Sequence, residues 1–399
     1  MPYSHAGRSN QSQYGQRFNR PQNKSRFVHR GTYINPTRYI NRAVTEQIVE
    51  EAASIQHAFA DFALEQPLQK NITQHGYEIP TPIQDQAIPL ILAGKDVVGL
   101  AQTGTGKTAA FLIPLINKVL LDPQQGVLIV VPTRELASQI SDEFEKFAAN
   151  LPIGKVLCVG GLSMNSQIQS LRRNPHFIIG TPGRLKDLVN QRFINLSLFT
   201  NIVLDEVDRM LDIGFVRDIR FLIDKLPAVR QSLFFSATMT REAESVMHSF
   251  CPHPEVVKIK SRDTSAQVEQ DIIRINADKN KTEVLYELLI RAEFEKVIVF
   301  GRTKHGISKL EKVLSERGLR VCSIHGNKNQ TARQKSLQLF KQGRTQALLA
   351  TDVAARGIDI DDVTHVINFD EPTTFDDYIH RIGRTGRAGK IGKALTFVG

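Results

Sequence analysis

Two consecutive α/β domains, each with a mainly parallel sheet flanked by helices, are the architecture this 399-residue sequence predicts. Three observations lead there. The length exceeds one typical domain and suits two of roughly 100–200 residues. Short apolar runs alternate with amphipathic, helix-like stretches along most of the chain. Those runs are continuously apolar rather than alternating, the pattern of strands covered on both faces. Hydrophobic residues form 41% of the chain, enough for a core in each domain.

The elements follow in order. Residues 1–45 are rich in Arg, Asn, Gln, Ser, Gly and Tyr, with no aliphatic periodicity until about Ile40. Such a segment buries too little apolar surface to offset the entropy of ordering, so a disordered basic tail is expected. The first domain is expected over 46–260. Its strands fall in DVVGLA (96–101), GVLIVVP (126–132), KVLCVG (155–160), FIIG (177–180), IVLDE (202–206) and LFFS (233–236). Polar TSAQVEQ then breaks the pattern, and a linker is expected at 261–269. The second domain, 270–399, resumes the alternation with VIVFG (297–301), RVCSIHG (320–326), ALLATD (347–352), HVINFD (365–370) and ALTFVG (394–399). Helices such as 305–317 and 329–342 separate these runs. In open α/β sheets ligands bind beyond the carboxyl ends of the strands, and the unusual residues of this sequence fall there.

Charge narrows the partners. The net charge is +10, and residues 1–45 hold Arg8, Arg17, Arg20, Lys24, Arg26, Arg30, Arg38 and Arg42 with no acid. The tail thus carries +8 of the excess and leaves +2 for the rest. Tyr3, Tyr14, Phe18, Phe27, Tyr33 and Tyr39 interleave with these bases, a spacing that suits stacking and phosphate contact. Affinity for nucleic acid is the expectation, and a solubilising tail with no specific partner the alternative. No apolar run approaches the ~20 residues that span a bilayer, and the amino terminus has no hydrophobic signal segment. Cys158, Cys251 and Cys322 lie far apart without metal-ligand spacing. They read as buried thiols in a reducing, cytoplasmic compartment.

The chemistry begins at Ala101-Gln-Thr-Gly-Thr-Gly-Lys-Thr108, between the DVVGL strand and the helix-like TAAFLIPLINKVLL. Gly104 and Gly106 permit a tight loop, built with Ala101, Gln102, Thr103 and Thr105, whose amides wrap phosphate oxygens. Lys107 would reach the β and γ phosphates, and Thr108 would offer its hydroxyl to Mg²⁺. IVLDEVD (202–208) ends a strand in adjacent acids. Asp205 is placed to hold Mg²⁺, usually through water, and Glu206 to orient or deprotonate the attacking water. An acidic pair can also simply cap the next helix. Together with a phosphate loop, two carboxylates amount to a nucleoside triphosphatase.

Several further strings stand in order: Phe59, Gly76-Tyr77 and Pro80-Thr-Pro-Ile-Gln84; Pro132-Thr-Arg-Glu-Leu-Ala137; Gly160-Gly161; Thr181-Pro-Gly-Arg184; Asp205-Glu-Val-Asp208; Ser236-Ala-Thr238; Ala350-Thr-Asp352 with Arg356-Gly-Ile-Asp359; and His380-Arg-Ile-Gly-Arg-Thr-Gly-Arg387. With them, residues 57–399 resemble the DEAD-box ATP-dependent RNA helicases of superfamily 2. One departure is Val207, where the name-giving tetrapeptide has Ala; it is not a carboxylate position. The resemblance implies two tandem RecA-like domains and an adenine-recognising segment at 57–85. There Gln84 pairs with the adenine edge, Tyr77 stacks on its face and Phe59 buttresses the segment. A side-chain amide donates to and accepts from adenine together, which favours ATP over GTP. The resemblance makes Arg384 and Arg387 arginine fingers from the second domain, and it places Gly357 and Asp359 by the ribose. Asp208, Ser236, Thr238, His380 and Arg381 become couplers between nucleotide and RNA.

On the same resemblance, the RNA-facing residues are Pro132, Thr133, Arg134, Gly161, Thr181, Gly183 and Arg184 in the first domain. In the second they are Arg302, Gly326, Gln330, Arg333, Thr351 and Asp352. Glycines, hydroxyls and arginines at strand ends suit phosphate and 2′-OH contact better than base reading. The expectation is an RNA-stimulated ATPase that opens short duplexes or displaces bound protein, working as a monomer away from membranes. Ribonucleoprotein or ribosome-assembly partners would fit it. Two rivals stay open: an RNA-binding clamp with incidental turnover, and a translocating DNA helicase.

Overall fold

The computed structural model describes residues 34–41, 55–102, 104–259, 268–275, 280–355, 360, 362–386 and 391–399. Residues 1–33 and 42–45 of the expected tail lie outside them, as do most of the expected linker and Thr103, Gly357, Asp359 and Arg387.

Two sheets form. The first contains β1 (Val97–Leu100), β2 (Val127–Val130), β3 (Lys155–Cys158), β4 (Phe177–Gly180), β5 (Asn201–Leu204), β6 (Gln231–Ser236) and β7 (Glu255–Lys258), in spatial order β3-β4-β2-β5-β6-β1-β7. The second contains β8 (Val268–Arg274), β9 (Val297–Phe300), β10 (Val321–Ile324), β11 (Ala347–Ala350), β12 (His365–Asn368) and β13 (Gly392–Val398), in order β10-β11-β9-β12-β13-β8. Every described strand pair is parallel.

The continuous apolar runs make sense at the level of alternate residues. Val127 and Ile129 enter one core of the first sheet, Leu128 and Val130 the other. Val297 and Val299 likewise oppose Ile298 and Phe300 in the second. Val207 is fully buried in the first domain, packed among residues such as Leu128, Leu204 and Met210.

Two strands, β7 and β8, are not apparent from apolar runs. Both lie at sheet edges, where one flank needs no apolar cover. Three of the four residues of β7 are exposed. β8 begins at Val268, inside the polar stretch read as linker, and alternates buried Val268 and Gln270 with exposed Glu269 and Asp271. Alternation here is the half-covered pattern.

The expectation of disorder through residue 45 fails for Ile34–Asn41. Asn35 Oδ1 accepts from Thr37 N at 3.1 Å and caps a short 3₁₀ turn, Pro36–Tyr39. Tyr39 is fully buried, and with Ile34 it joins the core of the second sheet. Asn41 and Gln270 exchange two backbone hydrogen bonds, 3.0 and 2.8 Å, as an antiparallel bridge onto β8. No helix among the described residues is long and apolar enough to cross a membrane.

Candidate active site and nucleic-acid interface

Carboxyl ends of strands gather the chemistry. β1 leads into the phosphate loop, whose Gly104 and Gly106 have φ of 86° and 91°, a backbone that glycine adopts without strain. A side chain at Gly106 would also collide with the Gln84 amide. The helix Lys107–Leu121 follows. Lys107 is buried and its Nζ donates to Ala101 O at 2.7 Å, so the ammonium closes the loop on itself.

The loop is pinned from below. Thr81 and Gln84 form a capping box at the start of helix Pro82–Leu92, with Thr81 N donating to Gln84 Oε1 at 2.9 Å. Thr81 Oγ1 donates to Thr105 O at 2.8 Å, and Gln84 Nε2 to Gly106 O at 3.0 Å. Gln84 is therefore buried, with its amide bonded to Thr81 and to the phosphate loop. Tyr77 packs edge-on against Phe59 and Phe147, centroids 5.6 and 5.2 Å away. Its hydroxyl donates to Glu143 at 3.0 Å. Burial and then the Glu143 carboxylate push that hydroxyl well above its ordinary pKa.

Behind β5, Asp205 and Glu206 are both buried. Asp205 Oδ1 accepts the Glu206 N–H at 2.9 Å. Burial raises the Asp205 carboxyl's pKa, with Lys107 pulling it down and Glu206 pushing it up. Glu206 stands at φ 53°, a conformation rare outside glycine and a sign of stored strain. Its Oε2 accepts from Arg209 Nη1 at 2.8 Å. Asp208 Oδ2 receives both the N–H and the hydroxyl of Thr238, at 2.9 and 3.0 Å, and Ser236 Oγ donates to Thr238 O at 2.7 Å. Asp208, Ser236 and Thr238 thus form one network across the ends of β5 and β6.

In the second domain, helix Phe375–Ile382 carries His380 and Arg381, with Arg384 just beyond. Arg381 grips Asp352 through two bonds, 2.6 and 2.8 Å, and also donates to Asn368 Oδ1 and Asp370 O. Asp352, expected on RNA, is therefore paired with an expected coupler. Arg384 is buried, its Nε 3.3 Å from His380 O. Arg302 is exposed, and its N–H donates to Asp370 at 2.8 Å. Gly326 is exposed after β10, and Thr351 N bonds Ile324 O at 3.4 Å.

The strand ends of both domains approach each other. Glu135 Oε2 takes Arg333 Nη2 at 2.9 Å, and its Oε1 accepts from Gln330 Nε2 at 3.2 Å. Gln334 donates to Ser138 at 3.5 Å. Gln330 is 2% exposed, and both it and Arg333 meet a first-domain carboxylate. Arg134 lies against Gly160 and Gly161, where a Cβ on Gly161 would overlap its guanidinium. Burial, with Arg333 and Arg184 nearby, lowers the pKa of Arg134. Thr133 and Thr181 are nearly buried after β2 and β4, Thr133 Oγ1 capping helix Arg134–Phe147. Pro132 is buried, while Gly183 and Arg184 are half-exposed, Arg184 reaching Leu162 O. One carboxylate among Arg134, Arg184 and Arg333 leaves positive charge suited to phosphate. Arg209 and Glu135 were not anticipated as site residues; Glu135 lay inside a recognised string without a role.

Residues 81–246 match the DEAD/DEAH box helicase model, and residues 280–389 the helicase conserved C-terminal domain. The chain is 46% identical over 342 residues to the DEAD-box ATP-dependent RNA helicase CshA of Bacillus licheniformis, covering 85% of this chain and 70% of that one. It is 45% identical over 342 residues to CshA of Bacillus subtilis, covering 85% and 69%. This chain belongs to the DEAD-box ATP-dependent RNA helicases. Among solved structures, the helicase is similar to S. cerevisiae Dbp5 bound to RNA and ADP BeF3, at TM-score 0.74, 32% identity and 86% and 89% coverage. It is also similar to Mss116p bound to ssRNA and AMP-PNP, at TM-score 0.76, 29% identity and 86% and 75% coverage. The helicase hydrolyses ATP on two RecA-like domains and couples that hydrolysis to RNA through a change of conformation.

Proposed function

We propose that this helicase closes its two domains around ATP and single-stranded RNA, bending the strand so that a short duplex cannot stay paired. Carrying the proposal is the meeting of Glu135 with Arg333 and Gln330, which brings the RNA-facing edges of both domains together. Lys107 and the loop amides hold the phosphates, with Gln84 and Tyr77 on the adenine side. Thr108 and Asp205, a hydroxyl and a carboxylate, fit the oxygen preference of Mg²⁺. The ion when bound would neutralise phosphate charge. Glu206 orients and deprotonates water, while Arg384 and Arg387 bring guanidinium charge from the second domain only on closure. The Asp208–Ser236–Thr238 network carries the state of the nucleotide to the neighbouring RNA edge.

Because contacts go to the backbone, binding is independent of base sequence. Ribonucleoprotein or ribosome-assembly particles are suitable targets, and a monomer suffices. The buried thiols Cys158, Cys251 and Cys322 support a reducing, cytoplasmic setting.

Steady-state ATPase with single-stranded RNA, and with DNA of identical sequence, tests the reading. RNA alone is expected to raise kcat at least about tenfold, by completing the closed state. High activity without RNA, or equal stimulation by DNA, would overturn it. The tail gives a second expectation. Deleting residues 1–33 removes six of the bases, Arg8, Arg17, Arg20, Lys24, Arg26 and Arg30. That should weaken RNA binding and flatten its dependence on log salt concentration, with kcat at saturating RNA unchanged. An unaltered salt slope would remove the tail from RNA binding.

A further inference from the structure

The segment Ile34–Asn41 precedes the first domain in the chain, yet it packs on the second. Its grip is concentrated on one helix. The Tyr39 ring lies 4.7 Å from that of Tyr378, and the Arg38 guanidinium sits 3.8 Å from the centre of the Phe375 ring. Gln270 joins both partners: its backbone pairs with Asn41, and its Oε1 accepts from the Tyr378 hydroxyl at 2.9 Å. Phe375 and Tyr378, three apart, share one face of helix Phe375–Ile382.

That helix carries His380 and Arg381 and leads into Arg384. It has eight residues, too few to be stable without tertiary contacts. Arg381 fixes it from one side through Asp352, Asn368 and Asp370. The segment Ile34–Asn41 supplies the hold on Phe375 and Tyr378. At its other end the chain returns to the first domain, where Gln56 and His57 donate backbone N–H groups to Asp85 at 3.1 and 3.0 Å, next to Gln84.

We infer that Ile34–Asn41 is a strap that positions the arginine-bearing helix, with Tyr39 and Arg38 as its positioning residues. The inference rests on the role proposed above for Arg384. The strap sets the pose in which the second domain delivers Arg384 to the nucleotide, and it leaves nucleotide binding by the first domain untouched. Burial pushes the Tyr39 hydroxyl up to about 12, so the docked ring is neutral and the strap holds equally at any physiological pH.

The test uses the full-length chain with Tyr39→Ala, Tyr39→Phe, Arg38→Ala and, as a control at an exposed neighbour, Ile40→Ala. RNA-saturated kcat, KM for ATP and the melting temperature are read for each. Tyr39→Ala should lower kcat roughly 10- to 100-fold, the scale of a small misplacement, with KM for ATP within about twofold. Tyr39→Phe should restore the rate, because the buried Tyr39 hydroxyl has no hydrogen-bond partner among the described residues. Arg38→Ala removes one exposed cation–ring contact, so it should fold normally and lose about two- to fivefold in kcat. Ile40→Ala should match the native chain. Native kcat in both Tyr39→Ala and Arg38→Ala would overturn the strap. So would a kcat loss that only tracks the unfolded fraction of Tyr39→Ala while Arg38→Ala is fully active. A native chain without RNA-stimulated ATPase would instead sink the underlying reading of Arg384.

Discussion

Glu206→Gln is expected to bind ATP and RNA together, as the native helicase does, yet to hydrolyse about 10²- to 10⁴-fold more slowly, the range a positioned base contributes. The amide is nearly isosteric, and its oxygen can still accept from Arg209. Binding therefore survives while the ability to take a proton does not. The strained φ of Glu206 points the same way, since such conformations persist at sites where a side chain must be aimed. Arg209 is itself buried, so the loss of the facing charge should also lower the melting temperature somewhat. Single-turnover hydrolysis with pre-bound ATP and RNA separates the two effects. Turnover within about twofold of native would remove Glu206 from its role.

Arg384→Ala should show the complementary defect. A guanidinium brought across a cleft stabilises charge that develops only in the transition state, an effect worth about 10³- to 10⁵-fold. ATP affinity, set in the first domain, should change little, and RNA affinity without nucleotide should not change. Arg384→Lys should rescue poorly, because an ammonium lacks the planar fork. The residue is buried beside His380, Arg381 and Asp352, so the Arg381–Asp352 pair keeps the helix in place when Arg384 is shortened. A variant that loses ATP affinity in proportion to kcat would mark Arg384 as a ground-state ligand.

Much of this site was legible because its residue types follow from local chemistry. A tight turn between a strand and a helix needs Gly104 and Gly106 at positive φ, and the adjacent carboxylates Asp205 and Glu206 follow a fully buried strand. The parallel sheets were equally legible, since a strand covered on both faces has to be apolar at every position. What stayed hidden depends on contacts between distant segments. Nothing in Pro132-Thr-Arg-Glu-Leu-Ala137 announces that Glu135 will meet Gln330 and Arg333, some two hundred residues away. Edge strands β7 and β8 lack the continuous apolar signature because strands at a sheet edge are less fully covered. Ile34 and Tyr39 show no period at all, being two anchors in a polar setting, so composition alone read their surroundings as disordered. Gln84 is a different case: its residue type was recognised, but its partner Gly106 depends on how the capping box places the amide.

The strap also has a consequence for biogenesis. Asn41 bonds to β8, and β8 pairs along its whole length with β13, Gly392–Val398. The earliest described residues to leave the ribosome thus wait for a sheet completed by Gly392–Val398, about 350 residues further along the chain. At synthesis rates of about 5–20 residues per second, that interval lasts on the order of 20–70 s. Through it the first domain can fold as a unit, while Ile34 and Tyr39 remain solvent-exposed and open to chaperones. Docking of these residues follows the arrival of β13 in the second sheet. Long sequence separation makes such a contact slow to form. A nascent helicase therefore completes its nucleotide-binding half before the segment Ile34–Asn41 can dock on the second sheet.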